Sequence, residues 1–415
     1  MNVGRAKSTK RLYLLALAAS CVGSLCLVAA FNAIVDPYGI FNSPRIDGFN
    51  AVKPRPRAWI ADIKLAAALN ASADTVIIGN SRAEIGFDPQ SAVLAGRNTY
   101  NLAVPGLGLA SNIEMLSDIA KRRPPRLLLV GVEYLDFVDS TTPPQKRSAG
   151  LMEREPVRAA LLRFRALFTL QATLDALETL RIQRTRFPAS LTVRGFNPLA
   201  DYEAVAKNEG YYALFRQRAE EAAKALRRKA AQLPSDPIDP MEVERLRQLL
   251  REARDWNAEV HLIIYPYHAQ MLMMFQESGL WPAFERFKET LVDEVVAARA
   301  AGCRVTLWDF SGRSRYATQP IPQPGDRTMH SAWYWEAGHF KKELGDVMLA
   351  RVLSGRPAPD DSRFGLILDA GSWKEHLLRQ REELALLRQT DPALNAEVRA
   401  LLVSVEAVRS PSKLP

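Results

Sequence analysis

Five short apolar runs recur along the chain and restrict its fold more than any other feature. They are residues 75–78 (TVII), 99–104 (TYNLAV), 126–132 (RLLLVGV), 260–265 (VHLIIY) and 304–308 (RVTLW). Each is largely continuous rather than alternating apolar with polar residues. A strand buried on both faces reads this way, and such strands belong to parallel sheets covered by helices. Helical patterns lie between them, residues 110–123 after the second run and 281–301 before the fifth. This alternation predicts an α/β fold, a parallel sheet with helices on both faces.

The third and fourth runs are far apart. Residues 140–256 between them are rich in Arg and Ala and read as a helical insertion or cap, which either shields the sheet or walls a cleft. One helix start inside it is explicit. Asp239 caps, Pro240 takes the first turn and Glu242 completes a capping box. Leu246, Leu249, Leu250 and Ala253 follow at helical spacing. Residues 36–355 therefore read as one α/β domain carrying this insertion. Residues 356–371 read as a connector. Two further helices, 373–389 and 391–408, would dock on the body or on a partner, with 410–415 frayed.

At the other end, residues 12–35 (LYLLALAASCVGSLCLVAAFNAIV) hold no charged side chain. About 20 apolar residues suffice to cross a bilayer as a helix. A cleaved signal peptide would have a shorter apolar core, about 7–15 residues, and no clean Ala-x-Ala site closes this run before Asp36. The reading is a single uncleaved transmembrane helix. Arg5, Lys7, Lys10 and Arg11 precede it, so residues 1–11 form a cytoplasmic tail and the body lies outside a bacterial inner membrane, in the periplasm. Cys303 is the only cysteine beyond the span, so the body has no internal disulfide.

The net charge of +9 does not point to nucleic acid, because Lys and Arg are spread through helices and interleaved with Glu. The five histidines show no ligand-pair spacing and no cysteine pair exists, so no metal is expected. Gly106-Leu107-Gly108 lacks the third glycine of a dinucleotide fingerprint, and no cofactor is expected.

Chemistry concentrates in two remote segments. Gly79-Asn80-Ser81 follows the first strand and opens a helix, which places the Ser81 hydroxyl at the carboxyl edge of the sheet, where open α/β folds bind ligands. An N-cap serine would look the same. Glu336-Ala337-Gly338-His339 lies far downstream and supplies an imidazole and a carboxylate; a packing or capping histidine is the alternative there. A serine, a base and an orienting acid are the minimum set for acyl transfer through an ester. His268, in Tyr265-Pro266-Tyr267-His268 after the fourth strand, competes for the base role or contacts substrate, or is a loop histidine bonded to backbone. Asp309, after the fifth strand, is a rim carboxylate or a turn residue.

In order and placement these segments resemble the blocks of the SGNH/GDSL hydrolase superfamily. Gly79-Asn80-Ser81 is similar to the first block, usually Gly-Asp-Ser. Asn101-Leu102-Ala103-Val104-Pro105-Gly106 is similar to the second, Gly131-Val132-Glu133 falls where the third is expected, and Glu336-Ala337-Gly338-His339 resembles the last, Asp-x-x-His. The resemblance implies a flavodoxin-like sandwich. It implies Ser81 as nucleophile, His339 as proton relay and Glu336 as its orienting acid, with Gly106 and the Ser81 N–H as oxyanion donors. Glu133 stands where the family carries a donating asparagine, and an ionised carboxylate cannot donate; Asn80 or Arg82 would then have to supply that donor. The membrane-anchored form is most similar to proteins that O-acetylate alginate, cell wall and related polymers. That implies a polysaccharide substrate and a membrane acyl-donor protein as partner. A non-catalytic accessory protein, favoured by Glu133, and a lipid esterase, favoured by the tether, are the alternatives.

Overall fold

The computed structural model describes residues 3–138, 155–358 and 361–407. Residues 140–154 and 408–415, expected above as part of the helical insertion and as a frayed end, lie outside the described residues. The first elements are α1 (Val3–Val35), α2 (Ile60–Ala71), β1 (Thr75–Ile78), α3 (Ser81–Gly86), β2 (Thr99–Asn101), α4 (Leu109–Arg122), β3 (Leu127–Val132) and α5 (Tyr134–Phe137). Five helices follow, α6 (Glu155–Phe168), α7 (Leu170–Ile182), α8 (Ala200–Glu209), α9 (Tyr211–Ala230) and α10 (Pro240–Asp255). The rest comprises β4 (Glu259–Ile264), α11 (Ala269–Glu277), α12 (Trp281–Ala300), β5 (Arg304–Asp309), β6 (Tyr334–Glu336), β7 (His339–Phe340), α13 (Lys342–Ser354), β8 (Leu366–Ile367), α14 (Trp373–Thr390) and α15 (Pro392–Ala407).

The main sheet has the order β2-β1-β3-β4-β5-β8, with β1 to β5 parallel and β8 antiparallel to β5. Each expected run forms a strand, and the side chains of β1, β3 and β4 are almost entirely buried because helices cover both sides. The doubly wound order reverses direction between β1 and β3, and such a switch point opens a crevice at the carboxyl ends of its strands. β8 arises from the segment expected as a bare connector. Leu366 and Ile367 pair with Asp309 and Trp308 and close the sheet edge.

The stretch expected as one cap divides into three parts. α10 buries Leu246, Leu249, Leu250 and Ala253 beside α4 and α12, so it is a crossover helix of the sandwich itself. α8 and α9 pack on the β6–β7 hairpin, where Tyr211 stacks on Trp335 and its hydroxyl accepts from Lys341. α6 and α7 pack instead on α1. The two C-terminal helices dock on the body, α14 along α11 and α12, α15 against α9 and α11.

α1 is the one described helix long and apolar enough to cross a membrane, over Lys10–Val35 with a mean hydropathy of 2.3. It stops where Asp36 turns left-handed, at φ 49°. The Asp36 carboxylate then accepts from the N–H groups of Ile40, Phe41 and Ser43, and Lys53 and Asn50 donate to the buried Val35 carbonyl at the helix end. A cation at that end also suits the helix dipole.

Candidate active site

Ser81 opens α3 directly after the Gly79-Asn80 turn. Gly79 has φ +145°, and a Cβ there would lie 2.5 Å from the Tyr265 hydroxyl, so only glycine fits. Asn80 caps α3 by accepting from the Arg82 N–H at 3.0 Å. The turn that presents Ser81 is therefore built by its two neighbours.

His339 comes from the short β6–β7 hairpin. Its Nε2 lies 2.9 Å from the Ser81 Oγ, although 258 positions separate the two residues. On the far side of the ring Nδ1 hydrogen-bonds Glu336 Oε1. Glu336 Oε2 accepts from the Gly338 N–H at 2.8 Å, which fixes the carboxylate plane. Burial opposes ionisation of Glu336, yet His339, the Gly338 N–H and Arg82 outweigh it and hold its pKa below the usual carboxylate value. An ionised carboxylate only accepts, so Nδ1 carries the hydrogen and the Nε2 lone pair faces Ser81. His339 keeps 22% of its side chain exposed, so the pair opens to solvent.

Arg82 and Glu133 lock the two halves together. The Arg82 guanidinium pairs with Glu133, and its Nε donates 2.6 Å to the Gly338 carbonyl, the residue before His339. Its face lies over the rings of Tyr265 and Tyr267, 5.9 and 5.3 Å from their centroids. Glu133 accepts further from Tyr267 Oη at 3.0 Å, Asn80 Nδ2 at 3.3 Å and the Leu135 N–H at 3.4 Å. Arg82, offered above as a replacement oxyanion donor, and Glu133, also a candidate for substrate contact or an alternative base, are instead engaged with each other. Both are consumed in a bridge beneath the serine, and part of the Asn80 amide is spent there too. The glycine slot for Tyr265 was not foreseen. A Cβ at Gly131 would lie 1.9 Å from its hydroxyl, and the Val-Gly-Val interruption in an otherwise bulky strand was the available signal.

Gly106 sits exposed in a turn at φ +70°. The Val104 N–H donates to the Gly79 carbonyl at 3.3 Å, which holds this turn beside the serine loop. A cavity of about 20 Å³ lies against Gly79, Asn80, Leu107, Asn112, Gly131 and Glu133.

The other two candidates lie elsewhere. His268 is only 1% exposed and caps α11; its Nδ1 accepts from the Gln270 N–H and its Nε2 meets the Gln319 carbonyl at 2.7 Å. Both ring nitrogens are occupied, so the loop-histidine alternative describes it and the base role does not. Asp309 faces α12 and α14 rather than the crevice, accepting from Lys288 and His376 at 2.8 Å each. Burial opposes its ionisation, but Lys288 and His376 hold its pKa below the usual range. Among the described residues no group of three or more His, Cys, Asp or Glu side chains is placed to hold a metal ion.

Compared with known proteins, the chain matches no family model, no curated protein and no solved structure.

Proposed function

We propose that this protein is a membrane-anchored, extracytoplasmic serine acyl-transfer enzyme of SGNH/GDSL type, an O-acetyltransferase or acetylesterase acting on a surface or secreted polysaccharide. The observation that carries the reading is the Ser81–His339–Glu336 line, with Ser81 Oγ 2.9 Å from His339 Nε2. The strand order 2-1-3-4-5 supports it, since flavodoxin-like sheets share that order and bind at the same switch point. The polymer and an acyl-donor membrane protein as partner rest on the resemblance. The compartment rests on the basic residues before α1.

In this reading Ser81 Oγ attacks the acyl carbonyl while its proton passes to His339 Nε2. The backbone N–H groups of Ser81 and Gly106 receive the oxyanion. His339 then returns the proton to the departing alcohol, leaving an ester on Ser81. An acceptor hydroxyl, or water, gives its proton to His339, attacks this ester and restores the serine. Glu336 holds the ring in register and offsets its charge when protonated. Acetyl as the transferred group, like the polymer, rests on the resemblance, and acyl-chain preference separates it from a lipid esterase.

A fluorophosphonate probe tests this directly. Folded protein should label, and Ser81→Ala should abolish labelling. Turnover on aryl esters should fall steeply beyond two acyl carbons. Absence of labelling in folded protein would leave a binding role, and preference for long chains would make it a lipid esterase.

A further inference from the structure

We infer that the α6–α7 hairpin is a second membrane contact, its corner embedded in the leaflet through which the last turns of α1 pass. Asn32 fixes the height of that corner. It lies three residues before the end of the apolar span, which at 1.5 Å per residue is about 4.5 Å. Its side chain is fully buried against the hairpin, where Nδ2 donates to the Leu167 carbonyl at 2.9 Å and to Thr173 Oγ1 at 3.0 Å. The residues between, Phe168 to Leu170, therefore stand level with the final turn of α1. The junction is rigid, because Asn50, Lys53 and Asp36 hold the chain where α1 ends, and Tyr38 Oη donates to Asp175 of α7 at 2.7 Å.

The faces of α6 and α7 turned away from this junction are apolar. Phe164, Phe168, Leu170, Leu174 and Leu177 are 58%, 41%, 74%, 51% and 52% exposed. Their helical spacing gathers them on one stripe per helix, and soluble surfaces seldom display so much contiguous apolar area. The hairpin packs on the end of α1, the helix that spans the bilayer in the proposed reading, so the occupant we assign is lipid. Arg163, exposed, and Arg165, stacked on Trp59 at 5.8 Å, lie within two turns of the corner, at a height suited to lipid phosphates. The hairpin would hold the body in one orientation on the bilayer, which a single spanning helix cannot do.

This inference rests on α1 crossing the membrane, and the test separates the two claims. The full-length chain, with Cys21, Cys26 and Cys303 changed to Ser, is reconstituted in phosphatidylethanolamine–phosphatidylglycerol vesicles whose acyl chains are brominated. Single fluorophores are placed at Leu25→Cys in α1, Phe168→Cys and Leu174→Cys in the hairpin, and Gln248→Cys on the exposed face of α10. We expect the labels at positions 25, 168 and 174 to lose about half or more of their emission, and that at 248 to stay bright. Quenching at 25 with none at 168 and 174 overturns the hairpin contact while leaving the anchor standing. Self-quenching between hairpin labels in that case would assign the face to a second copy. An unquenched label at 25 removes the anchor, and the hairpin contact falls with it.

Discussion

Glu336 is 2% exposed, and burial alone would favour its protonated form. Its charge survives because each oxygen has a donor, the His339 ring on one side and the Gly338 N–H on the other. Glu336→Gln keeps the volume but removes the charge that stabilises a protonated ring and adds an amide hydrogen that competes for the tautomer. Ester turnover should fall by about 10³–10⁴-fold with the circular dichroism spectrum unchanged; a loss under about tenfold would mean that His339 works without it. His268 gives the opposite lesson. Burial against Phe215 and Tyr334 lowers its pKa to about 4 from 6.5, despite the Gln319 carbonyl. The unfolded chain binds this proton more readily, so the contribution is complete above pH 6.5 and is lost as pH falls toward 4. His268→Asn retains an acceptor for the Gln270 N–H and cannot titrate. Urea unfolding should show wild type losing about 3 kcal/mol more than this variant across that window. Parallel curves would refute it.

α3, β7 and α13 form the frame in which the serine meets the imidazole, and two glycines set its spacing. A Cβ on Gly345 would lie 1.7 Å from the Gly86 carbonyl, and one on Gly86 would lie 2.0 Å from the Phe340 ring, the neighbour of His339. α13 thus seats against the end of α3 backbone to backbone. Gly345→Ala must push the two apart, and the displacement passes through Phe340 to His339. A shift near 1 Å can cost about 10²-fold in rate, so fluorophosphonate labelling should slow on that order while the protein still folds. Wild-type labelling rates in Gly345→Ala would show that the hairpin moves independently of α13. None of this spacing was legible from sequence, since a glycine inside an apolar helix carries no record of its neighbour. The strands were legible, because continuous apolar runs leave few other options, and with them the position of Ser81 after β1. The convergence of residues 81 and 339 was expected only through the resemblance, since His339 comes from the separate β6–β7 hairpin and not from a strand of the main sheet. His268 and Asp309 leave strands at the sheet edge that carries Ser81, yet their directions are set by α11, α12 and α14, which the runs do not encode. Glu133 read as a missing donor because its partner Arg82 is 51 positions away.

At the scale of the whole molecule, three polar junctions join the sheet to its outworks. Glu84 of α3 is fully buried and pairs with Lys64 of α2 at 3.0 Å and Arg55 at 3.4 Å, linking the serine helix to the segment that follows α1. Arg82 and Glu133 bridge the switch point. The third junction lies at the opposite edge, where Asp309 at the end of β5 receives Lys288 of α12 and His376 of α14, with the Ser311 N–H and Oγ completing its shell. Asp309 and Lys288 are 2% and 1% exposed, so each charge depends on the other. Asp309→Asn should strand the ammonium and cost about 3–5 kcal/mol. Because His376 also loses its carboxylate, α14 should loosen first. Limited proteolysis within residues 361–407 should then precede global unfolding, while labelling of Ser81 in undigested protein persists. Adding Lys288→Met removes the stranded charge, and the double variant should recover much of the lost stability, since an apolar replacement of a buried pair is often close to neutral. If Asp309→Asn costs under about 1 kcal/mol, solvent reaches the lysine and the junction contributes little. If the double variant is no more stable than Asp309→Asn, the loss arises from the missing His376 contact rather than from an unpaired charge.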